Sequence, residues 1–300
     1  MQAILPRQCG VRILDKLGEG SFGKVVLAVN KRNRACWTDR SFFRKLTAMP
    51  EEGDSVVLKC VRKEGCYGAK GLQCVAREVA IHSRCCHPNI SRMYGYYENG
   101  QYVTMILDFI EGKELFEILR TRRQLPEEEA CLLILQVLRG VAYLHEKRIV
   151  HRDLTPRNIM VKPSGHALVI DLGLAVDLAA EDGDAPGKPL GSPVGAVGTM
   201  GYIPPESMRN EKITTAVDMW SVGVVLYEAV FGFAPFAPHE VMAGGPVEFP
   251  DPAWGPSSDD MQDLVAQLLS KDAAARCTAP AALSHAWFRP AAAAADALAP

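Results

Sequence analysis

Apolar and polar positions recur along this chain with two different periods, and the change of period marks its elements. Ser55-Val56-Val57-Leu58-Lys59 is a short β-branched run that predicts a strand closed by a lysine. From Lys70 to Cys85 the period lengthens: Leu72, Val75, Val79 and His82 recur at helical spacing and predict a helix with one inward face. His87-Pro88-Asn89-Ile90 stops it, because the residue before a proline is driven out of helical conformation. Ile159 to Val161 and Ala167 to Ile170 flank Pro163-Ser164-Gly165-His166, the pattern of a small hairpin. Met219 to Ala237 carries Glu228 as its only charge and could pass for a membrane span. Asp218 begins it and Pro235 interrupts it, so it is read as a helix buried in a large protein, apolar all round.

Candidate chemistry sits around that hairpin. His151-Arg152-Asp153-Leu154-Thr155-Pro156-Arg157-Asn158 precedes it and Asp171-Leu172-Gly173 follows it. A hydroxyl nucleophile needs a carboxylate to orient it and take its proton, which Asp153 can do, and Mg²⁺ needs hard oxygen ligands, which Asn158 and Asp171 can supply. The hairpin would carry Asn158 and Asp171 to the same side.

These two segments resemble the catalytic loop and metal-binding loop of eukaryotic protein kinases, with Leu172 where that family usually has Phe. Leu17-Gly18-Glu19-Gly20-Ser21-Phe22-Gly23-Lys24-Val25 resembles the family's glycine-rich loop, whose missing side chains let backbone N–H groups approach phosphate. Lys59 resembles the lysine that grips the α- and β-phosphates, and Glu78 its partner on the next helix. Gly198-Thr199-Met200-Gly201-Tyr202-Ile203-Pro204-Pro205-Glu206 resembles the end of the activation loop, and Asp218-Met219-Trp220-Ser221-Val222-Gly223 the start of the central helix. The resemblance runs from about Val11 to Phe288 and looks closest to Aurora, calmodulin-dependent and polo-like kinases.

The resemblance implies an α+β, bilobal kinase-like fold. Residues 1–10 would be an extension, 11–107 a β-rich N-lobe with one main helix, 108–111 the hinge, 112–289 a mainly helical C-lobe, and 290–300 a disordered Ala-rich tail. MgATP would lie between the lobes, with Mn²⁺ an alternative metal. Leu17, Gly18, Gly20, Gly23, Val25, Val57, Lys59, Leu107, Asp108, Ile110 and Glu114 would surround the nucleotide. Asn158 and Asp171 would hold the metal, Thr199 would hydrogen-bond the base Asp153, Asp218 would hold the catalytic-loop backbone, and Glu206 would pair with Arg276. The implied activity is transfer of the γ-phosphate of ATP to Ser and Thr hydroxyls of protein substrates.

Departures from the family pattern leave alternatives open. Thr155 stands where serine/threonine members usually carry a Lys on the transferring phosphate, and Val57 where Ala is usual. Gly195 occupies the usual phosphosite, which leaves Ser192 as the only hydroxyl side chain between Leu172 and Gly198 and Arg152 without its usual phosphate partner. A pseudokinase acting as a nucleotide-binding or scaffold protein is therefore the alternative, and a tyrosine or dual-specificity kinase the lesser one. Residues 30–54 form an insertion between the second and third strands of the family. Its basic and aromatic residues are accompanied by Asp39, Glu51, Glu52 and Asp54, so a solvated surface loop is favoured over nucleic-acid binding, with docking of an activator or partner as a further role. His239 to Pro252 is short against the family's substrate-docking region. Glu114 resembles a glutamate that meets the ribose and, in basophilic members, an upstream arginine, so substrates basic around the acceptor are expected.

Composition narrows the setting. A net charge of −2 gives no general drive toward nucleic acid or membrane. Nine cysteines without Cys-x-x-Cys spacing suit reduced thiols in an intracellular compartment, cytoplasm or nucleus, better than disulfides or zinc. Met1 to Gly10 lacks the apolar core of a secretion signal.

Overall fold

The computed structural model describes residues 11–20, 23–31, 43–44, 51, 53–65, 68–181, 197–237, 239–243, 245–250 and 257–289. Two compact units divide the chain: residues 1–87 with 91–110, and residues 88–90 with 111–300.

The first unit is a six-stranded sheet with one helix. Its strands are β1 (Val11–Gly20), β2 (Gly23–Asn30), β3 (Phe43–Arg44), β4 (Ser55–Arg62), β5 (Met93–Glu98) and β6 (Tyr102–Asp108), with α1 (Gly68–His82) between β4 and β5. The order is β1-β2-β4-β6-β5-β3, and every pairing is antiparallel. Register explains the two faces, because directly opposed residues project to the same side. Val25 lies opposite Lys59, Leu27 opposite Val57, and Val57 opposite Leu107, so Lys59 shares a half-buried apolar face with these residues. Val26, Ala28, Val56, Leu58, Cys60 and Ile106 pack on the other.

Helix α1 closes the Lys59 face farther along the strands, where Val75 and Val79 pack with Val61, Met93, Val103 and Met105. Its inward stripe is shorter than the sequence period suggested: Leu72 is 39% exposed, whereas His82 is buried and its Nε2 meets the Ser91 carbonyl at 2.8 Å. Within the 30–54 insertion, β3 pairs Phe43 with Tyr97 and Arg44 with Tyr96, so this part is an edge strand of the sheet and not a solvated loop. Residues 32–42 and 45–50 lie outside the described residues.

The second unit is mainly helical. Its helices are α2 (Leu115–Arg122), α3 (Glu127–Glu146), α4 (Leu178–Glu181), α5 (Pro205–Met208), α6 (Ala216–Phe231), α7 (Asp259–Leu268) and α8 (Ala279–Leu283). Three small pairings join β7 (Lys113–Glu114), β8 (Ile149–Val150), β9 (Ile159–Val161), β10 (Ala167–Val169) and β11 (Val176–Asp177): β7 with β9, β9 with β10, β8 with β11. The predicted hairpin is β9–β10. Helix α6 is buried along nearly its whole length, which is why its sequence lacks an amphipathic period. Gly232 ends it at φ 81°, where an added Cβ would come within 2.8 Å of the Arg123 carbonyl. Among the described residues no helix is long and apolar enough to cross a membrane.

Candidate active site

In the first unit, Lys59 Nζ donates to Glu78 Oε1 at 2.7 Å. The two come from β4 and from the inward side of α1, and the glutamate is the more buried, 7% exposed against 23% for the lysine side chain. Val25, Val57 and Leu107 flank Lys59 as described, while Leu17 at the end of β1 is 50% exposed. Asp108 gives its backbone N–H to the Arg92 carbonyl at 2.9 Å, whereas the Ile110 N–H has no hydrogen-bond partner among the described residues. Of the glycine-rich stretch, Ser21 and Phe22 lie outside the described residues. Gly23 is in close contact: a Cβ there would come 1.9 Å from the Cys60 carbonyl oxygen of the next strand.

In the second unit, the loop after β8 is hung on one buried carboxylate. Asp218 accepts the backbone N–H of His151 and of Arg152, each at 2.8 Å, and meets His145 Nε2 at 2.9 Å. Burial by itself would raise the pKa of Asp218; the hydrogen bond and charge of His145 and the Arg152 N–H outweigh it and hold the group below the usual carboxylate value. These bonds hold Arg152 at φ 69°, a left-handed conformation costly for a residue with a Cβ.

His151 then fastens the loop to the second acidic segment. Its Nδ1 accepts the Asp153 N–H at 3.2 Å and its Nε2 donates to the Ile170 carbonyl at 3.0 Å, which assigns the tautomer. The Ile170 N–H donates to the Asn158 carbonyl at 2.9 Å and sets Asp171 beside Asn158 at the base of the β9–β10 hairpin. Asp171 lies at φ 61°, and its Oδ1 accepts the Gly173 N–H at 3.0 Å. Leu172, in the place of the family's Phe, is 1% exposed and belongs to the core.

Asp153 is fixed through both carboxylate oxygens. Oδ1 accepts the Thr199 N–H at 3.0 Å and its hydroxyl at 2.8 Å, and Oδ2 accepts Asn158 Nδ2 at 2.9 Å. That Nδ2 also donates to the Asp153 carbonyl at 2.8 Å, so Asn158 Oδ1 is turned away with no protein partner among the described residues. Gly198, at φ 122°, allows the approach of Thr199: a Cβ there would stand 2.8 Å from the Arg152 carbonyl. The free amide oxygen of Asn158 and the adjacent Asp171 carboxylate form a donor set that fits a hard divalent cation.

Farther from Asp153, Glu206 and Arg276 form a buried bidentate pair at 2.5 and 3.0 Å. Arg276 also donates to the Ala216 carbonyl at 2.7 Å, which ties α5 to the start of α6. Thr155 is buried. Arg157 does not replace the missing lysine: its guanidinium stacks 3.6 Å from the centre of the Phe116 ring and lies 3.9 Å from Glu114. Ser192 and Gly195 lie outside the described residues.

Sequence reasoning overlooked three contributors. His145 precedes His151 by six residues at the end of α3, and its place just before the loop was the available signal. Tyr202 donates its hydroxyl to the Glu228 carboxylate, a pair that nothing local announces. The Arg157–Glu114 contact spans forty-three residues and needed the fold.

Comparison with known proteins identifies the family. The family described as Protein kinase domain matches residues 44–288. Calcium/calmodulin-dependent protein kinase type 1 of Caenorhabditis elegans is 30% identical over 283 residues, covering 91% of this chain and 73% of that protein. Calcium/calmodulin-dependent protein kinase type 1B of Homo sapiens is 32% identical over 287 residues, covering 92% and 74%. Aurora kinase of Schizosaccharomyces pombe is 30% identical over 280 residues, covering 91% and 69%. With a family match over most of its length and relatives of this similarity, the chain belongs to the eukaryotic protein kinases of the serine/threonine type.

Proposed function

We propose that this kinase transfers the γ-phosphate of MgATP to serine and threonine hydroxyls of its protein substrates, with Asp153 as the group that orients the hydroxyl and takes its proton. Protein kinases as a family use ATP and a divalent metal and act on proteins; the particular nucleotide, metal and residue roles are this reading. The observation that carries it is the fixed carboxylate of Asp153, held at Oδ1 by Thr199 and at Oδ2 by Asn158. A base so restrained meets the hydroxyl in one orientation, and positioning is most of what phosphoryl transfer asks of a protein.

Lys59, aligned by Glu78, grips the α- and β-phosphates. Val25, Val57 and Leu107 face the base of the nucleotide, with the Asp108 carbonyl and the Ile110 N–H as its polar partners and Glu114 at the ribose. Asn158 Oδ1 and Asp171 hold the metal, which when bound neutralises phosphate charge; Mg²⁺ suits these oxygens and Mn²⁺ would be accepted by them. Thr155 leaves one positive charge fewer at the transferring phosphate, so turnover is slower than with a lysine there. Phosphorylation of Ser192 is optional, and the 30–54 insertion, anchored by β3 on the sheet edge, docks an activator or partner. Reduced thiols and the absence of Cys-x-x-Cys spacing support work inside the cell, in cytoplasm or nucleus.

The test is transfer of labelled phosphate from MgATP to mixed Ser, Thr and Tyr peptides beside an Asp171→Ala control. Label on Ser and Thr that vanishes in the control supports the reading. Label on Tyr moves the acceptor class. No transfer, with MgATP still raising the melting temperature, would leave a nucleotide-binding scaffold.

A further inference from the structure

Arg157 lies in the catalytic segment between Asp153 and Asn158, yet its side chain turns away from both. The guanidinium stacks on Phe116 at 3.6 Å, close enough for a strong cation–π contact, and an Nη atom sits 3.9 Å from Glu114 Oε2. The Arg157 side chain keeps 62% of its surface exposed and that of Glu114 38%. Burial raises the pKa of Glu114, the neighbouring charge of Glu117 raises it further, and Arg157 works against both. Arg157 also opposes the upward shift of the Tyr202 hydroxyl, which burial and the bonded Glu228 produce. The Arg157 charge is thus set beside Glu114 on the Phe116 ring and within electrostatic reach of the Tyr202–Glu228 pair.

The place of this group matters. Tyr202 follows Thr199 by three residues, and Thr199 binds Asp153. Arg157 also directly precedes Asn158, which binds the other carboxylate oxygen of Asp153, so the Arg157–Glu114 pair flanks the position where an acceptor hydroxyl would meet the base. Carboxylates there would draw a cationic side chain of the substrate, and like charges set against each other are a standard means of rejecting a partner. Here the attraction is answered from within, and a substrate arginine would meet a guanidinium already stacked in place.

We propose that Arg157 is a specificity-determining residue of this kinase: an internal counter-cation that pairs with the Glu114 carboxylate and removes the preference for basic residues beside the acceptor. The proposal rests on the reading of Asp153 as the base. It is independent of how fast transfer proceeds.

The experiment uses acceptor peptides identical except for Arg, Ala or Glu at each position flanking the acceptor. Two readouts are taken with the full chain: kcat/KM for transfer, and peptide binding by fluorescence anisotropy without nucleotide. Wild type should bind and phosphorylate Arg and Ala peptides within about threefold of each other, while Arg157→Ala should favour Arg at one or more positions by about tenfold, expressed in KM and not in kcat. Arg157→Gln, which keeps a planar group over Phe116, should show the same gain and guards against loss of folding in the alanine variant. Adding Glu114→Gln to Arg157→Ala should abolish the gain in binding. A wild type that already favours Arg tenfold, or variants whose Arg-to-Ala ratio matches wild type in both readouts, would overturn the proposal. Absence of transfer to every peptide would sink the proposed function, and the anisotropy ratios would still decide the role of Arg157.

Discussion

Thr199 engages Asp153 twice at one atom: its backbone N–H and its hydroxyl both donate to Oδ1, at 3.0 and 2.8 Å. The activation-loop end is thereby tied to the residue read as the base. Thr199→Val keeps the shape and the backbone bond but removes the hydroxyl donor. Loss of the donor that aligns the base should lower kcat about 10- to 100-fold, and the lost ground-state bond should lower the melting temperature by a few degrees. Thr199→Ser should retain most activity. Equal activity of the valine and serine variants would show that the hydroxyl bond does not position the base.

The Lys59–Glu78 pair is asymmetric, because the glutamate is the more buried partner. Lys59→Met should abolish transfer and also lower stability by about 1–3 kcal/mol, since it takes the ammonium partner from a buried carboxylate. Glu78→Gln should reduce transfer with a smaller stability cost, because the lysine it leaves behind reaches solvent. Thermal melts of the two variants, set beside their rates, check the asymmetry; equal stability losses would contradict it.

How far these features could be foreseen depended on how local they are. The β9–β10 hairpin, α1 and the buried α6 follow from runs of neighbouring residues, and Asp153, Asn158 and Asp171 from a fixed spacing. Leu72 shows the limit of a period: the spacing marks a stripe along the helix but not which turn first meets the sheet. Edge strand β3 was illegible because its partner, Tyr96–Tyr97, lies some fifty residues on and the pairing is made by backbone, which carries no residue code. The Tyr202–Glu228 and Arg157–Glu114 contacts are long-range polar pairs and escape for the same reason. Asp218 could be placed from its motif, but its contact with His145 could not.

Asp218 holds two backbone N–H groups and His145, and these donors depress its pKa below the usual value. A depressed carboxylate contributes stability that is present above its unfolded pKa of about 4 and is lost as pH falls through the lower folded value. Asp218→Asn offers one acceptor oxygen where two are used, and should destabilise by about 3 kcal/mol or more at neutral pH. The gap between variant and wild type should narrow in acid below about pH 4. A gap independent of pH would show that the charge of Asp218 is immaterial and only its shape is used.

Glu206 and Arg276 should respond differently to single and paired replacement. Either Glu206→Gln or Arg276→Met leaves a buried charge without its partner, at a cost of about 3–5 kcal/mol. The double variant should cost less than the sum, although Arg276 also serves the carbonyls of Ala216 and Ser270, so full recovery is not expected. Additive losses in a double-mutant cycle by chemical denaturation would mean that the pair is not coupled.

Two cysteines report on the two units separately. Burial pushes the Cys60 thiol up to about 11, partly offset by a hydrogen bond with Thr104, and burial with the charges of Glu127 and Glu128 pushes Cys131 up to about 11. Cys60 belongs to the strand unit and Cys131 to the helical one. The thiolate is the reactive form, so at pH 8 each carries about one part in a thousand, and the fold blocks access as well. Cys74 and Cys86 are exposed and should be alkylated ahead of Cys60 and Cys131. Titrating denaturant while mapping alkylated peptides should then show Cys60 and Cys131 labelling only as their own unit opens. Coincident labelling curves would identify one cooperative transition, separated curves two, and rapid labelling of either residue in native conditions would contradict its burial.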